Sequence, residues 1–287
     1  MPEPRGFGIA FLSENVYNNR EEGGGSMREE RPIAVFDSGL GGISVLRELV
    51  RQMPQENYLY FGDSLHAPYG SRPTQEIRDL TFAAAERLVA QDAKALVIAC
   101  NTATSAAVDE LRAAYPERII IGIEPALKLA VSRHPGGRIL VMATEATLRE
   151  KKFALLMEHF GADCEILKCP CPELVEFVER GELTGPAVEA SLRAYLKDCT
   201  AMPLDAAVLG CTHYPFLRPL IRKVLGPQTD LLDGADGTAR ETRRRLSDAG
   251  LLRRTGEGSV EMTNSLGSAE ILERSEALLK AKTLDEI

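Results

Sequence analysis

The chain has 287 residues, with 34 Lys and Arg against 42 Asp and Glu, and its formal charge is −8. This acidic balance argues against a nucleic-acid-binding surface and against a polybasic membrane anchor, because both need clustered basic groups. No apolar run approaches the roughly 20 residues of a membrane-spanning helix, and six cysteines are too few for a disulfide framework. The composition therefore predicts a cytoplasmic α/β protein of two domains, whose partner is neither nucleic acid nor a membrane.

The first 31 residues differ in composition from the rest of the chain. They are polar and rich in glycine, which predicts a flexible N-terminal extension. The apolar piece at positions 6–12 is too short, and too weakly charged at its front, for a signal peptide. Met27 lies just before the first predicted strand and is an alternative start.

The first half of the body alternates short apolar runs with longer helical patterns. Helices are expected at about 43–50, 74–90 and 103–114, between strands at Ile33–Phe36, Tyr58–Phe61, Ala95–Ala99 and Arg118–Ile123. Continuous apolar strands that alternate with helices predict a parallel sheet covered on both faces.

The same rhythm restarts after Pro125. Strands are predicted at Arg138–Met142, Glu165–Leu167 and Ala206–Leu209. The helices between them are expected to end near Phe160 and to cover Leu174–Glu179 and Pro186–Lys197. An amphipathic helix at Ala269–Ala281 closes the chain.

Strand ends of the two halves match at nearly constant offsets, which suggests an internal duplication. Residue 33 aligns with 139 and residue 63 with 169 (offset 106), and Cys100 aligns with Cys211 (offset 111). Chance pairing of ordinary α/β periodicity is the alternative. The duplication predicts two similar open parallel-sheet α/β domains with the active site in the cleft between them. The first comprises residues 32–124 and 234–287, and the second comprises residues 125–233.

Cys100 and Cys211 are the cysteines best placed for chemistry. Each directly follows a buried strand and precedes a polar turn that leads toward a helix. Ligands of open parallel sheets bind at the carboxyl ends of strands, and a helix N-terminus lowers the pKa of a thiol. The other four cysteines lack this combination, and Cys169-Pro170-Cys171 is interpreted as structural.

The loop at residues 37–44 follows the first strand and imitates the start of a dinucleotide-binding fingerprint, with Asp63 where a ribose-binding acid would stand. Two features weaken this interpretation: Ser44 replaces the third glycine, and Asp37 would lie close to the pyrophosphate. The alternative is a loop whose backbone N–H groups, with Ser38, bind a small carboxylate. No His and Cys combination has metal-ligand spacing, so no metal is expected.

Five motifs in one order resemble the glutamate racemase family, from about Pro32 to the C-terminus. They are Asp37-Ser38-Gly39-Leu40-Gly41-Gly42, Gly62-Asp63-Ser64, Pro68-Tyr69-Gly70, Cys100-Asn101-Thr102-Ala103-Thr104 and Gly210-Cys211-Thr212-His213-Tyr214-Pro215. Aspartate racemases share the paired-cysteine plan, but Thr104 and His213-Tyr214 resemble the glutamate branch. The segment Glu145-Ala146-Thr147 departs from the family, which more often has a glycine before the threonine.

The resemblance implies a cofactor-independent racemase that supplies D-glutamate for peptidoglycan. Cys100 and Cys211 would act on opposite faces of the substrate Cα, with Asp37 supporting Cys100, and with His213 and Glu179 supporting Cys211. Glu179 matches through a looser stretch than the others, and its alternative is a solvated helical acid. The implied substrate contacts are Asp37, Ser38, Tyr69, Gly70, Asn101, Thr102, Thr212 and His213.

Other hypotheses remain at this stage. The resemblance admits a homodimer and regulation by a cell-wall-precursor nucleotide. A racemase of aspartate or a related acid has the same cysteine plan. A two-domain binding module that clamps an acidic solute would need neither thiol, and an oxidoreductase would bind NAD(H).

Overall fold

The computed structural model describes residues 27–160 and 164–281, which form two all-parallel sheets flanked by helices. The predicted fold class is confirmed. Sheet A has the order β4-β3-β1-β2-β9, with strands β1 (Ile33–Asp37), β2 (Asn57–Gly62), β3 (Ala95–Ile98), β4 (Ile119–Gly122) and β9 (Ser259–Asn264). Sheet B has the order β6-β5-β7-β8, with strands β5 (Arg138–Ala143), β6 (Glu165–Pro170), β7 (Ala206–Leu209) and β8 (Asp230–Asp233).

Twelve helices are described along the chain, most of them between successive strands. They are α1 (Met27–Glu30), α2 (Ile43–Gln52), α3 (Thr74–Val89), α4 (Asn101–Ala114), α5 (Leu127–Arg133), α6 (Glu145–Arg149), α7 (Lys151–Phe160), α8 (Glu173–Glu179), α9 (Pro186–Leu196), α10 (Arg218–Leu225), α11 (Ala235–Asp248) and α12 (Ala269–Lys280). Short 3₁₀ turns cover Ser64–His66, Tyr69–Ser71 and Tyr214–Leu217. Within the described residues, no helix is long and apolar enough to cross a membrane.

The central strands are buried along their whole length. All residues of β1, β3 and β7 are buried, since helices cover both faces of a parallel sheet. α2 shows the complementary helical pattern: Ile43, Leu46 and Leu49 share one buried face. These two patterns are why periodicity located the inner elements correctly.

The strand order confirms the internal repeat, because β4-β3-β1-β2 of sheet A and β8-β7-β5-β6 of sheet B have the same topology. Phe36 of β1 pairs with Ile98, and Met142 of β5 pairs with Leu209. Two residues beyond these partners lie Cys100 and Cys211, which therefore occupy equivalent positions.

The predicted match of the second strands was wrong by two positions. Phe36 pairs with Phe61 of β2, and Met142 pairs with Cys169 of β6, so the offset there is 169 − 61 = 108 and not 106. Asp63 of the first unit accordingly corresponds to Cys171 of the second.

The C-terminal part of the chain returns to sheet A. β9 pairs with β2, and α11 and α12 both contact α2. The sequence analysis missed β8 and β9. The domain boundaries at 124 and 234 stay a prediction, which is supported by the end of β8 at Asp233 in sheet B.

The described part of the N-terminal extension includes a short helix, α1, against the first unit. The backbone carbonyls of Glu29 and Glu30 accept hydrogen bonds from Lys94 Nζ and Asn57 Nδ2. Arg31 forms an ion pair with Asp92 at 3.0 Å. The extension predicted at residues 1–31 therefore ends in a segment that contacts the first unit. Residues 1–26 lie outside the described part of the chain.

One cluster of buried apolar side chains includes residues of both units. It contains Leu40 from the loop after β1, Phe177 from α8 and Tyr214 from the turn after β7. Burial of this interface brings the carboxyl ends of β1 and β7 together, and the candidate site lies there.

Candidate active site

Cys100 and Cys211 each lie just beyond the end of a central strand. Cys100 follows β3 and is the N-cap residue of α4, whereas Cys211 follows β7 and precedes the 3₁₀ turn at Tyr214–Leu217. Their exposed fractions are 5% and 7%. Both are free thiols, and the charge of Cys211 contributes to the electrostatic environment of Cys100. The two thiols therefore share one nearly dry site.

Cys100 has partners from its own unit. Its Sγ accepts a hydrogen bond from the Ala103 N–H at 3.4 Å, and Ser38 Oγ lies 3.4 Å away. Burial, followed by the charge of Asp37, raises the pKa of Cys100 to about 12, although both hydrogen bonds act in the opposite direction. The expected lowering of this thiol pKa by the helix N-terminus was therefore wrong, since desolvation outweighs it.

Cys211 faces a histidine that is backed by a carboxylate. Its Sγ lies 3.6 Å from His213 Nδ1, and His213 Nε2 lies 2.6 Å from Glu179 Oε1. Burial disfavours the imidazolium, but hydrogen bonds and charges of Cys211 and Glu179 raise the pKa of His213 above its ordinary value. This arrangement suits proton exchange between the thiol and the imidazole.

Glu179 is held by donors that come from sheet A. Oε1 accepts the Leu40 N–H at 2.7 Å, and Oε2 accepts the Ser64 hydroxyl at 3.0 Å. Burial raises the pKa of Glu179, but the opposing effects of His213, Leu40 and Ser64 are together larger. The pKa of Glu179 is therefore lowered from its ordinary value. An ionised Glu179 can only accept hydrogen bonds, so His213 Nε2 carries a proton, and Nδ1 is the ring nitrogen that faces Cys211.

Asp37 joins the two units from the end of β1. It is fully buried, and its carboxylate accepts the Thr212 hydroxyl at 3.0 Å and the Gly39 N–H at 3.0 Å. Burial raises the pKa of Asp37 above its ordinary value, although the charge of His213 opposes the shift. Asp37 thus lies within electrostatic range of both cysteine environments.

The glycines of the loop after β1 allow the two units to approach closely. A Cβ at Gly39 would lie 2.0 Å from Glu179 Oε1, and one at Gly41 would lie 2.4 Å from His213 Nδ1. Since these side chains fill the space over the loop, no room is left there for a pyrophosphate. The N–H groups of Gly39 and Leu40 bind protein carboxylates, so these two do not serve a ligand carboxylate, and binding through the rest of the loop with Ser38 stays a prediction.

Asp63 also has partners within the protein. It accepts the Tyr69 hydroxyl at 2.8 Å, and His66 Nδ1 lies 2.9 Å away. This internal pairing argues against the ribose-binding role. The Tyr69 hydroxyl proton is therefore already donated to Asp63. The donor that Tyr69 can offer a ligand is its backbone N–H, at the start of a 3₁₀ turn.

Residues 33–242 match the sequence profile of the family described as Asp/Glu/Hydantoin racemase. The chain belongs to this family. A glutamate racemase from Clostridium perfringens is 49% identical over 252 residues, which cover 88% of this chain and 97% of that protein. The chain is thus an isomerase of the racemase class.

Solved structures of the racemase family share the fold. Glutamate racemase from Thermus thermophilus, in complex with beta-chloro-D-alanine, has a TM-score of 0.74 and 36% identity, with 89% of this chain and 95% of that chain covered. Escherichia coli glutamate racemase, in complex with L-glutamate and the activator UDP-MurNAc-ala, has a TM-score of 0.74 and 28% identity, with 85% and 95% covered.

The candidate site includes residues that the sequence analysis did not assign to it. Thr144 and Thr147 form a buried hydroxyl cluster with Thr102, at Oγ1–Oγ1 distances of 2.9 and 3.2 Å from Thr102. Gly70 packs against this cluster so closely that a Cβ added at this position would lie 2.6 Å from the Thr144 side chain. Thr144 occupies the position of Ser38 in the repeat (144 − 38 = 106), and that offset could have identified it.

Asn101 has a buried side-chain oxygen that no protein group in the described residues satisfies. Its side chain is 4% exposed, and Oδ1 has no hydrogen-bond partner among the described residues. A buried acceptor of this kind is costly unless a bound molecule satisfies it. Within residues 27–160 and 164–281, no group of three or more His, Cys, Asp or Glu is arranged to hold a metal ion.

Proposed function

We propose that the chain interconverts L-glutamate and D-glutamate without a cofactor, by a two-thiol acid–base mechanism. The observation that carries this proposal is the placement of two buried thiols at equivalent strand ends of a repeated fold, each with its own polar partners. Inversion at Cα needs an acid and a base on opposite faces, and two facing strand ends supply such a pair. The relatives named glutamate racemase support the substrate.

In the proposed reaction, one cysteine acts as a thiolate and takes the proton from Cα. The carbanion formed receives a proton on its opposite face from the other cysteine, which acts as a thiol. The product leaves with the two protonation states exchanged, and this second form accepts the opposite enantiomer. No proton is gained or lost over the cycle.

The environment of Cys100 suits the thiol form in the resting enzyme, because its pKa is raised to about 12. His213 can hold the proton of Cys211, which makes a Cys211 thiolate paired with an imidazolium the complementary form. General acid–base steps contribute about 10²–10⁴-fold each, so the weakly acidic Cα–H also needs the dry, polar surroundings of this site.

Substrate contacts follow from the same placement. Asp37 would meet the ammonium group, and the proposed donors to the two carboxylates are Ser38, Thr212, His213, Thr102 and the backbone at Tyr69 and Gly70. Asn101 Oδ1, a buried acceptor without a partner among the described residues, would accept a hydrogen bond from the substrate ammonium group. A chain of charge −8 binds a dicarboxylate through such local donors, against its own net field.

The deciding experiment is α-proton exchange in D₂O. Purified, reduced protein with no added cofactor should bring deuterium to Cα of either glutamate enantiomer and racemise both. The same assay on aspartate and other acidic amino acids tests the substrate. Absence of exchange with glutamate overturns the proposal. Faster exchange with aspartate than with glutamate would identify aspartate as the substrate.

The physiological role follows from the product. D-Glutamate formed in the cytoplasm would enter peptidoglycan synthesis. Expression of the chain should restore growth of a bacterial strain that depends on added D-glutamate, and a Cys100→Ala, Cys211→Ala variant should not. Growth with the double variant would contradict the role.

We extend the proposal to a nucleotide regulator and a homodimer. The Escherichia coli structure contains the activator UDP-MurNAc-ala. In this chain a cavity of about 510 Å³ is lined by residues that include Arg112, Arg240 and Arg245, whose guanidinium groups suit a pyrophosphate. Racemisation rates with and without UDP-MurNAc-alanine test the regulator, and analytical ultracentrifugation tests the dimer.

A further inference from the structure

The carboxylate of Glu179 lies at the end of a hydrogen-bonded chain that starts on the opposite unit. Asn264, at the end of β9, donates from Nδ2 to Ser64 Oγ at 2.9 Å, and Ser64 donates to Glu179 Oε2 at 3.0 Å. Glu179 Oε1 contacts His213 Nε2, and His213 Nδ1 contacts Cys211 Sγ. The chain thus begins in sheet A and ends at a thiol of sheet B.

The direction of each hydrogen bond is determined by its neighbours. Asn264 Oδ1 accepts the Leu266 N–H at 3.0 Å, so the amide directs its NH₂ group toward Ser64. Because Ser64 Oγ receives this hydrogen bond, its own proton is free to be donated to Glu179. The orientation of the Ser64 hydroxyl is therefore determined by Asn264, which belongs to the same unit.

A second contact from sheet A's unit holds the backbone of the same residue. Arg274 of α12 donates from Nη1 to the carbonyl oxygen of Glu179, at the end of α8. Together with the Leu40 N–H and the Ser64 hydroxyl, this makes three donors of the first unit that hydrogen-bond to Glu179 of the second. Glu179 can adopt this geometry only when the two units are closed on each other.

We propose that Ser64, oriented by Asn264, is a positioning residue that links closure of the two units to the acid–base state of Cys211. Ser64 acts through Glu179 and His213 and does not touch the substrate. Cys100 has no equivalent dependence, since its hydrogen-bonding partners Ser38 and Ala103 belong to its own unit. The proposal rests on the two-thiol function proposed above.

Several titratable groups surround the Glu179–His213 pair. Asp37 faces it from β1, Tyr60 from β2 and Cys211 from the end of β7, and Arg274 approaches from α12. Among the described residues the Ser64 hydroxyl bonds to Glu179 and Asn264 and to none of these groups, so we assign a change in thiol reactivity to Glu179 and His213.

The test is alkylation of the two thiols in one sample. Wild-type protein and Ser64→Ala are treated with iodoacetamide from pH 6 to pH 10, and labelling of Cys211 and Cys100 is followed by mass spectrometry of peptides. We expect Ser64→Ala to slow Cys211 labelling about tenfold below pH 8, with Cys100 labelling unchanged. The loss is partial because a cavity of about 700 Å³ borders Ser64 and Glu179, so water can replace the hydroxyl.

Two variants provide matched controls. Ser265→Ala removes a hydroxyl that accepts the Leu65 N–H at the same edge but does not touch Glu179, so it should leave both labelling rates unchanged. Ser64→Thr keeps the hydroxyl and should restore Cys211 labelling. Asn264→Ala should slow the labelling of Cys211 less than Ser64→Ala does. If Ser64→Ala fails to fold, Asn264→Ala is used in its place.

Unchanged Cys211 labelling in a folded Ser64→Ala protein overturns the proposal. Equal slowing of both thiols also overturns it, because that result indicates a general structural effect. Labelling needs no substrate, so a chain that fails to racemise glutamate but shows the selective effect would contradict the proposed function alone. In the racemase assay, Ser64→Ala should lower kcat and change KM little.

Discussion

The two thiols occupy equivalent positions, but the groups around them are different. Cys100 caps a helix and is accompanied by a hydroxyl and a backbone N–H of its own unit. Cys211 has no such helix; it faces His213, and the carboxylate behind that ring is held by the opposite unit. The repeated fold therefore places a thiol at the same position in each unit, whereas the residues around each thiol differ.

The difference also separates the resting states of the two sides. Burial and the charge of Asp37 favour the neutral form of Cys100. On the other side, Cys211 faces the imidazole of His213, which is backed by Glu179. The two cysteines therefore lie in different electrostatic surroundings.

The largest expected effect is the loss of either thiol. Cys100→Ala and Cys211→Ala should each lower racemisation by at least about 10³-fold, because each removes an acid in one direction and a base in the other. Circular dichroism of glutamate follows the reaction. Cys164→Ser, at a half-exposed cysteine outside the site, should retain activity. Wild-type turnover in either alanine variant would remove that thiol from the mechanism.

The second effect should separate the two sides. Glu179→Gln replaces the anion behind His213 with a neutral amide, so we expect racemisation to fall about ten- to a hundredfold and Cys211 alkylation to slow, with Cys100 alkylation unchanged. Glu176→Gln, one turn earlier on α8 and exposed, is the matched control. Equal slowing at both thiols would refute the asymmetry.

The third effect concerns stability and pH. The pKa of Glu179 is lowered, so its contribution is present above its ordinary value of 4.5 and is lost as pH falls through the lowered value. The pKa of His213 is raised, so its contribution is full below 6.5 and is lost as pH rises through the raised value.

Glu179→Gln should therefore lower the free energy of unfolding most between pH 4.5 and 6.5, by about 1–3 kcal/mol. Thermal unfolding of both proteins across pH 4–9 measures the difference. A deficit that does not vary with pH would point to lost packing and not to the ion pair.

The smallest effect belongs to the Cys100 side. The contact with Ser38 lowers the pKa of Cys100, so Ser38→Ala should raise that pKa further and slow Cys100 alkylation about two- to tenfold. Cys211 in the same sample serves as the internal reference. A matching change at Cys211 would show that Ser38 supports the whole site and not one thiol.

The inner parts of the fold were predictable because their physics is local. β1, β3 and β7 are buried on both faces, and this burial leaves continuous apolar runs in the sequence. β8 and β9 lack that signal, since β8 is a short Asp-Leu-Leu-Asp segment and β9 mixes polar and apolar residues. Membership of β9 in sheet A depends on its pairing with β2, about 200 positions earlier.

The site divides in the same way. Cys100, Cys211 and Asp37 end central strands, so their placement followed from the strand predictions and the repeat. Ser64 gave no comparable signal, because its contact with Glu179 spans 115 positions and depends on how two units meet. The glycine loop misled the sequence analysis for the same reason: its partners are side chains of the other unit.

By itself the sequence determined the two parallel-sheet units, the repeat that relates them, and the two strand-end cysteines. These features depend on apolar periodicity and on position along a strand, which neighbouring residues encode. Tertiary structure alone decided the raised pKa of Cys100, the direct contact between His213 and Glu179, which the family resemblance had only named, and the hydrogen bond from Ser64 to Glu179. Desolvation and hydrogen bonding between units depend on groups that are distant in the chain, and they arise only when the two sheets pack together.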